Sequence, residues 1–415
     1  MKIAIIGSGI SGLTCGYLLH KEHDIHVFEA SDWVGGHTHT VNVTVKGQRY
    51  AIDTGFIVFN DWTYPNFIEL MSQLGVRSKA TEMSFSVRDS SNNFEYNGNT
   101  LNSLFAQRSN LLSPRFWGML RDILRFNREA IRDLQEQRIA SDTRLGDYLQ
   151  QRGYGTRFIE HYIVPMGAAI WSMSLADMLA FPLQFFVRFF KNHGLLSVSN
   201  RPQWRVIEGG SSAYVQPLSA GFADKIRLNC PVTSVERNEH GVLVRSATGS
   251  EHFDKVIFAC HSDQALQLLT NPSAAEQQIL GALPYAENDV VLHTDTRLLP
   301  DRKLAWASWN YRLGDAGLQR AAVTYDMNIL QGIQSETTFC VSLNQTASID
   351  PLKVLASYSY AHPQYSLDAV AAQARWQELH GEQHSYFCGA YWANGFHEDG
   401  VVSALRVAKA FGQQL

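Results

Sequence analysis

Lys2-Ile3-Ala4-Ile5-Ile6-Gly7-Ser8-Gly9-Ile10-Ser11-Gly12 is the stretch whose reading decides the fold. Residues 2–6 make the short apolar run of a strand buried on both faces. Glycines follow at positions 7, 9 and 12, and then the apolar spacing of a helix (Leu13, Gly16, Tyr17, Leu18). Gly7 makes the tight turn, Gly9 lets backbone approach a pyrophosphate, and Gly12 lets helix and strand pack closely. The free N–H groups at the helix N-terminus hold phosphate charge. A second strand pattern, Ile25-His26-Val27-Phe28, ends in Glu29, an acid placed to accept hydrogen bonds from an adenosine ribose. Each feature alone is weak. In this order they predict a dinucleotide-binding α/β unit of Rossmann type.

The remaining composition bounds the answer. At 415 residues the chain is too long for one ordinary core, so two intertwined domains are expected. With 45% hydrophobic and 18% charged residues it has the make-up of a soluble globular protein. A formal net charge of −4 gives no hint of nucleic acid, whose binders are usually strongly basic. The five cysteines are scattered, odd in number and form no CxxC, which suits a reducing cytoplasm and argues against a disulfide framework or a metal site. The glycine fingerprint starts almost at Met1, which leaves no room for a signal peptide, and no run of 18 apolar residues could span a membrane. The expected location is the cytoplasm, with the inner membrane face as a peripheral site.

After Glu29 and Ala30 the chain continues Ser31-Asp32-Trp33-Val34-Gly35-Gly36-His37-Thr38. An acid followed closely by Gly-Gly resembles the extended fingerprint of the flavin amine oxidase superfamily, in which an arginine usually follows the glycines. His37 stands at that position here, and a neutral histidine donates only one hydrogen bond. The resemblance continues at Asp53-Thr54-Gly55-Phe56, which in the superfamily returns the chain to the flavin, although Asp and Gly are also ordinary tight-turn residues. It includes Gly209-Gly210 before a helix start and Val232, whose counterpart pairs its backbone with adenine. It also takes in the strand from Lys255 to Cys260, Gly389 at a strand end, and Asp399-Gly400-Val401 at the start of the final helix. In the superfamily that helix points its N-terminus at the pyrimidine end of the flavin, where reduction places negative charge.

The resemblance implies an α/β fold with a Rossmann-type FAD-binding domain (1–65, 200–284 and 380–415) and an interleaved α+β substrate domain (66–199 and 285–379). It implies FAD, held by Gly7, Ser8, Gly9, Ser11, Gly12, Glu29, Ala30, Gly35, Gly36, His37, Thr38, Gly55, Val232, Cys260, Gly389, Asp399, Gly400 and Val401. No cysteine matches a covalent attachment pattern, so non-covalent binding is expected. There is no second strand–GxGxxG–helix unit, so substrate should reduce FAD directly, with dioxygen or another acceptor reoxidising it.

Residues 66–200 carry helical patterns. A helix over 114–138 is expected, with Ser113 as N-cap and Pro114 in its first turn. It bears Arg121, Arg125, Arg128 and Arg132 on one stripe, read either as a solvated face or as a basic face for anionic membrane. The aromatic-basic run Phe185-Phe186-Val187-Arg188-Phe189-Phe190 fills a core by default, or lines a tunnel. Residues 285–375 alternate in β fashion, and Trp306, Trp309, Tyr311, Tyr325, Tyr358 and Tyr360 suggest the floor of a substrate cavity. His362, on a loop that the superfamily brings to the flavin ring, is a catalytic candidate. Tyr391 and Trp392 are candidates for an aromatic pair flanking it.

A closer resemblance rests on Gly36-His37-Thr38-His39-Thr40, Asp53-Thr54-Gly55-Phe56-Ile57-Val58-Phe59-Asn60 and Pro202-Gln203-Trp204-Arg205. These runs are similar to a bacterial amine-oxidase-like subgroup associated with cyclopropane-fatty-acyl-synthase-type methyltransferases. That resemblance implies a desaturase or oxidase of methylated fatty acyl chains of lipids, with a methyltransferase as partner. An amine or polyamine oxidase and a non-catalytic FAD-binding partner protein are the competing readings.

Overall fold

In the computed structural model, which describes residues 1–314 and 320–415, the opening run lies in the middle of a five-stranded parallel sheet. Its order is Ile226–Arg227, Asp24–Phe28, Lys2–Ile6, Lys255–Phe258, Ser385–Phe387. Ile3, Ala4, Ile5, Val27, Val256 and Ile257 are fully buried, as a strand covered on both faces requires. The helix Ile10–Leu19 packs against the C-terminal helix His397–Ala410. Small residues set that crowding: a Cβ on Gly12 would lie 2.0 Å from the Gly7 carbonyl oxygen, and one on Gly400 2.7 Å from Ile10 Cγ2.

A separate seven-stranded sheet forms the second layer, ordered Val354–Pro363, Tyr285–His293, Cys340–Leu343, Val323–Asp326, Trp309–Leu313, Phe85–Asp89, Phe94–Asn97. Its pairs are antiparallel except Trp309–Leu313 with Phe85–Asp89. Strands therefore interrupt the segment 66–200 that the sequence reads as helical: Ser78–Ala80, Phe85–Asp89 and Phe94–Asn97. Phe85 pairs with Trp309, so the partner that makes it a strand is remote in sequence and invisible to local periodicity.

The helices around this sheet follow their end signals. Pro65–Gln73 opens on proline; Pro114–Gln135 begins where Ser113 Oγ accepts the Phe116 N–H at 3.3 Å. The arginine stripe on the latter helix splits in two. Arg125 turns inward, 3.3 Å from Glu129, 3.6 Å from Asp122 and stacked over the Tyr154 ring at 4.1 Å. Arg121, Arg128 and Arg132 stay exposed. Phe186, Phe189 and Phe190 on the helix Leu183–Asn192 surround Trp171 in the main hydrophobic core. None of them lines the large cavity. Among the described residues no helix is long and apolar enough to cross a membrane, and no cluster of His, Cys, Asp and Glu could hold a metal.

Candidate active site

A cavity of about 720 Å³ opens at the carboxyl ends of the parallel strands, the position where this sheet type binds ligands. Gly7, Ser8, Gly9 and Ser11 form one wall of it. Gly7 takes φ +104°, the left-handed region open to glycine, and a Cβ there would meet the Ala259 carbonyl oxygen at 2.8 Å. A Cβ on Gly9 would meet no protein atom within 4 Å. It would project into the cradle that a pyrophosphate fills. Gly12 lies behind the wall, and its role is the helix–strand contact alone. Ser11 Oγ, by contrast, donates to the Gly400 carbonyl at 3.0 Å and ties the two helices together.

Glu29 is buried at the end of its strand. Its Oε2 accepts the Ser8 N–H at 2.9 Å and the Ser8 hydroxyl at 2.7 Å, and its Oε1 accepts the Ser31 N–H at 2.8 Å. The acid thus shapes the phosphate loop as well as facing the cavity beside Ala30. Val232 and Cys260 complete this end, and burial pushes the Cys260 thiol up to about 12, so it stays protonated.

The second glycine pair lies on the first. Gly35 N–H donates to the Ser8 carbonyl at 3.1 Å, and a Cβ on Gly36 would sit 3.2 Å from Gly9 Cα. Gly55 supports the next residue: its Cβ would clash with the His37 carbonyl oxygen at 2.2 Å. The turn beneath is more than a turn. Asp53, fully buried, accepts from Thr40 Oγ1 (2.6 Å), Ser211 N–H (2.8 Å), Ser211 Oγ (2.9 Å) and Gln331 Nε2 (2.8 Å), joining three distant segments.

The C-terminal helix corrects the sequence reading by a few residues. Asn394, Gly395, Phe396 and His397 line the cavity together with Gly389; Asp399, Gly400 and Val401 do not. The Gly400 N–H is taken by the Phe396 carbonyl at 3.1 Å, and Val401 is core. The Asp399 carboxylate reaches back to the N–H groups of Phe396 (2.9 Å) and Asn394 (3.1 Å), and burial raises it to about 6. The free N–H groups of a helix belong to its first turn, which here starts at His397.

Tyr391 and Trp392 also depart from expectation. Both are buried and outside the cavity, with Trp392 Nε1 donating to the Phe387 carbonyl at 3.1 Å. The turn after Gly389 folds Tyr391 back so tightly that a Cβ on Gly389 would lie 2.4 Å from its ring. The expected aromatic pair is a piece of core.

Histidines occupy the middle of the cavity. His37 and His362 approach to 5.5 Å between ring centroids, and His37 and His261 to 6.1 Å. His362 Nδ1 lies 2.9 Å from Ser172 Oγ, and burial lowers its pKa to about 3. His261 stacks on Tyr285 at 4.0 Å and is likewise held near 3 by burial. Burial lowers His37 too, and its Nε2 has no partner among the described residues. These are neutral imidazoles, each offering one donor and one acceptor. Thr38 lies behind the wall in a buried triad: its Oγ1 is 2.5 Å from Tyr214 OH and 2.9 Å from His397 Nε2. Neither Tyr214 nor His397 stood out in the sequence, because nothing local marks a tyrosine and a histidine 183 residues apart as partners.

The family model described as flavin containing amine oxidoreductase matches residues 10–326, most of the chain. This chain belongs to that family. A Mycobacterium tuberculosis protein with the provisional name flavin-containing monoamine oxidase AofH is 26% identical over 272 residues, 62% of this chain. The match spans 56% of that protein's length. Cyclohexylamine oxidase from Brevibacterium oxydans superposes with a TM-score of 0.69 at 15% identity, covering 99% of both chains. A CLA-producing fatty acid isomerase from P. acnes gives a TM-score of 0.69 at 14% identity, covering 99% of this chain and 98% of its own. At such identities the two structures share the fold. FAD is the cofactor, as the family membership shows, and the phosphate cradle fits it.

The far wall of the flavoprotein's cavity comes from elsewhere in the chain. Ile57, Val58, Ala169, Ile170 and Leu330 supply apolar surface, and Trp309 and Tyr325 meet edge to face at 5.0 Å. Of the six aromatics expected on the floor, Trp309, Tyr325 and Tyr360 line it; Trp306, Tyr311 and Tyr358 do not. Trp306 Nε1 donates to the Pro300 carbonyl at 2.8 Å, Tyr311 sits in the core, and Tyr358 packs on His39 at 4.7 Å. Ser172, which the sequence did not mark, reaches His362 because it ends the helix Val164–Trp171 in the left-handed conformation, φ +54°.

Proposed function

We propose that this flavoprotein is a desaturase or oxidase that takes hydride from an apolar substrate, most simply an acyl chain of a lipid. The observation that carries the reading is the apolar wall of Ile57, Val58, Ala169, Ile170, Trp309, Tyr325 and Leu330; the substrate sheet adds one carboxylate to the cavity lining, Glu287, which accepts from the Ser359 hydroxyl. Such a surface offers dispersion and area burial to an alkyl chain, and to an ammonium ion only the ring faces of Trp309 and Tyr325. Tyr391 and Trp392, the pair expected to favour an amine, are absent from the cavity. The fatty acid isomerase among similar folds is compatible with an acyl substrate, as the amine oxidases are with an amine.

Bound FAD supplies the acceptor for a hydride, that is, two electrons and one proton. The chain's own residues bind, orient and exclude water. Gly9 and the first turn of the helix Ile10–Leu19 receive the pyrophosphate, Glu29 orients the adenosine half, and the apolar wall keeps bulk water from the reacting carbon. For desaturation the neighbouring carbon loses a proton as the hydride leaves. His362, positioned through Ser172, is the side chain placed to relay it, and because burial disfavours the imidazolium the proton must leave the ring as it arrives.

The test is anaerobic reduction of the purified holoprotein. Extracted phospholipid or free fatty acid should bleach the flavin absorbance, and a chain-length series should show affinity rising with each methylene. Bleaching by cyclohexylamine or putrescine, with lipid inert, would move the assignment to an amine oxidase.

A further inference from the structure

We infer that the segment from residue 101 to 128, together with the turn at Leu304, forms a docking surface for an anionic phospholipid bilayer. Fourteen large apolar side chains are exposed among the described residues, and Leu101, Leu111, Leu112, Trp117, Leu124 and Leu304 are six of them. Leu112 is 89% and Leu101 79% exposed, values that a monomeric soluble surface rarely combines in one place.

These side chains share one surface. Trp117 Nε1 donates to the Leu111 carbonyl at 2.9 Å, and its ring meets Phe105 at 5.6 Å. Arg108 bonds the carbonyls of Asn102 and Phe105, fixing the short helix Leu101–Leu104 beside it. The turn Lys303–Ala305 packs on that same short helix. Along Pro114–Gln135, positions 117, 121, 124 and 128 fall on one stripe, so Trp117, Arg121, Leu124 and Arg128 alternate apolar and basic toward solvent.

Charge selects the occupant. Arg108, Arg115, Arg128 and Lys303 form no ion pair among the described residues, and the one carboxylate near Arg121 is Asp122 at 3.9 Å. The acids of the helix turn away: Asp122 and Asp133 are buried, and Glu129 is engaged by Arg125. Asp301, at the edge of the patch, is matched by Arg88 at 2.8 Å. A chain of net charge −4 therefore carries a local cationic, leucine-studded face. Leucines and a tryptophan that enter the acyl boundary, ringed by arginines at headgroup level, are the recognition chemistry of an anionic membrane surface.

Sedimentation of the holoprotein with vesicles of phosphatidylglycerol and phosphatidylethanolamine tests this directly. Binding is expected at low salt, should fall as salt screens it, and should be absent on pure phosphatidylcholine. Arg121→Glu with Arg128→Glu should weaken partitioning about 25-fold or more, at about fivefold per basic residue removed. Leu112→Ser with Leu124→Ser should weaken it through lost insertion, with melting temperature and flavin content unchanged. Lys46→Glu, an exposed cation elsewhere, should change nothing. Wild-type protein that stays in the supernatant, or binding that survives both double variants, overturns the proposal. So does a dimer that the leucine pair converts to monomer with no vesicle binding, which would make the occupant a second copy. Vesicle binding is measured without turnover, so its failure leaves the substrate reading untouched, and the reverse holds.

Discussion

Glu29 accepts both hydrogen bonds that Ser8 can donate, 2.9 Å from its N–H and 2.7 Å from its hydroxyl, inside the wall of the cofactor cavity. The carboxylate at the end of the second strand thus sets the shape of the loop after the first. Glu29→Ala leaves the Ser8 N–H, the Ser8 hydroxyl and the Ser31 N–H unpaired. At ~1–3 kcal/mol for each buried orphan, both apoprotein stability and FAD retention should fall. Ser8→Ala, which keeps two of the three bonds, should lose less of each. Urea midpoints and flavin stoichiometry of the two proteins check the ranking.

The glycines of the fingerprint should separate into cofactor and packing roles. Gly9 has φ −67° and ψ −179°, allowed for any residue, and open space at its Cβ. Gly9→Val should therefore fold with near-native apoprotein stability while failing to retain FAD. Gly12→Ala drives a methyl to 2.0 Å from the Gly7 carbonyl oxygen and should lose several kcal/mol, as overpacked cores do (~1–3 kcal/mol or more). Thermal melts of the apoproteins beside flavin content distinguish the two; a Gly9→Val protein that stays yellow would refute the cradle.

Ser403 holds the cavity from beneath. Its Oγ accepts the Gly389 N–H at 2.8 Å and donates to the Gly400 carbonyl at 2.9 Å. Ser403→Ala orphans a buried N–H beside the cavity at a cost of ~1–3 kcal/mol, and should lower FAD affinity. Asp399→Asn retains an oxygen for the Phe396 N–H and should be tolerated. Isothermal titration of the apoproteins with FAD gives both affinities.

The buried histidines predict how the apoprotein responds to acid. Burial lowers His193 and His293 to about 4 and His261 and His362 to about 3, and it lowers His37 and His397 as well. The unfolded chain takes up these protons near pH 6.5 and the folded chain does not, so their contribution is complete above that pH and is lost as pH falls. Asp53, Asp326 and Asp399, raised to about 6 by burial, act in the opposite sense: they favour the folded state as pH drops from about 6 toward 3.8. Histidines outnumber aspartates in this window. Stability should fall from about pH 6.5 to about pH 4, by ~1.4 kcal/mol per pH unit for each excess histidine. Urea denaturation across that range measures the slope; a flat profile would mean the imidazoles are hydrated.

Much of the cofactor half was legible because its determinants are local. Gly7, Gly9 and Gly12 are placed by turns and close contacts within a few residues of one another, and Glu29 ends the next strand. The C-terminal helix was found from its apolar spacing, yet the residues facing the cavity proved to be Gly395 to His397 and not Asp399 to Val401. Where a first turn points depends on how the whole helix packs against Ile10–Leu19, a contact in which Gly400 leaves no room for a Cβ beside Ile10.

The sequence by itself determined the strand–glycine–helix unit and the start of the helix Pro114–Gln135, since short-range sterics and capping decide these, and its resemblance to a family carried FAD. Only the tertiary structure decided that Tyr391 and Trp392 are core while Trp309 and Tyr325 face the cavity, and that Ser172 meets His362. It also showed that Arg125 turns inward while Arg121 and Arg128 flank Leu124 in solvent. The reason is physical: an aromatic or basic side chain is equally compatible with wall, core and surface. Its fate is fixed by partners hundreds of residues away, such as the strand Phe85–Asp89 that finds Trp309–Leu313 only when the chain has closed.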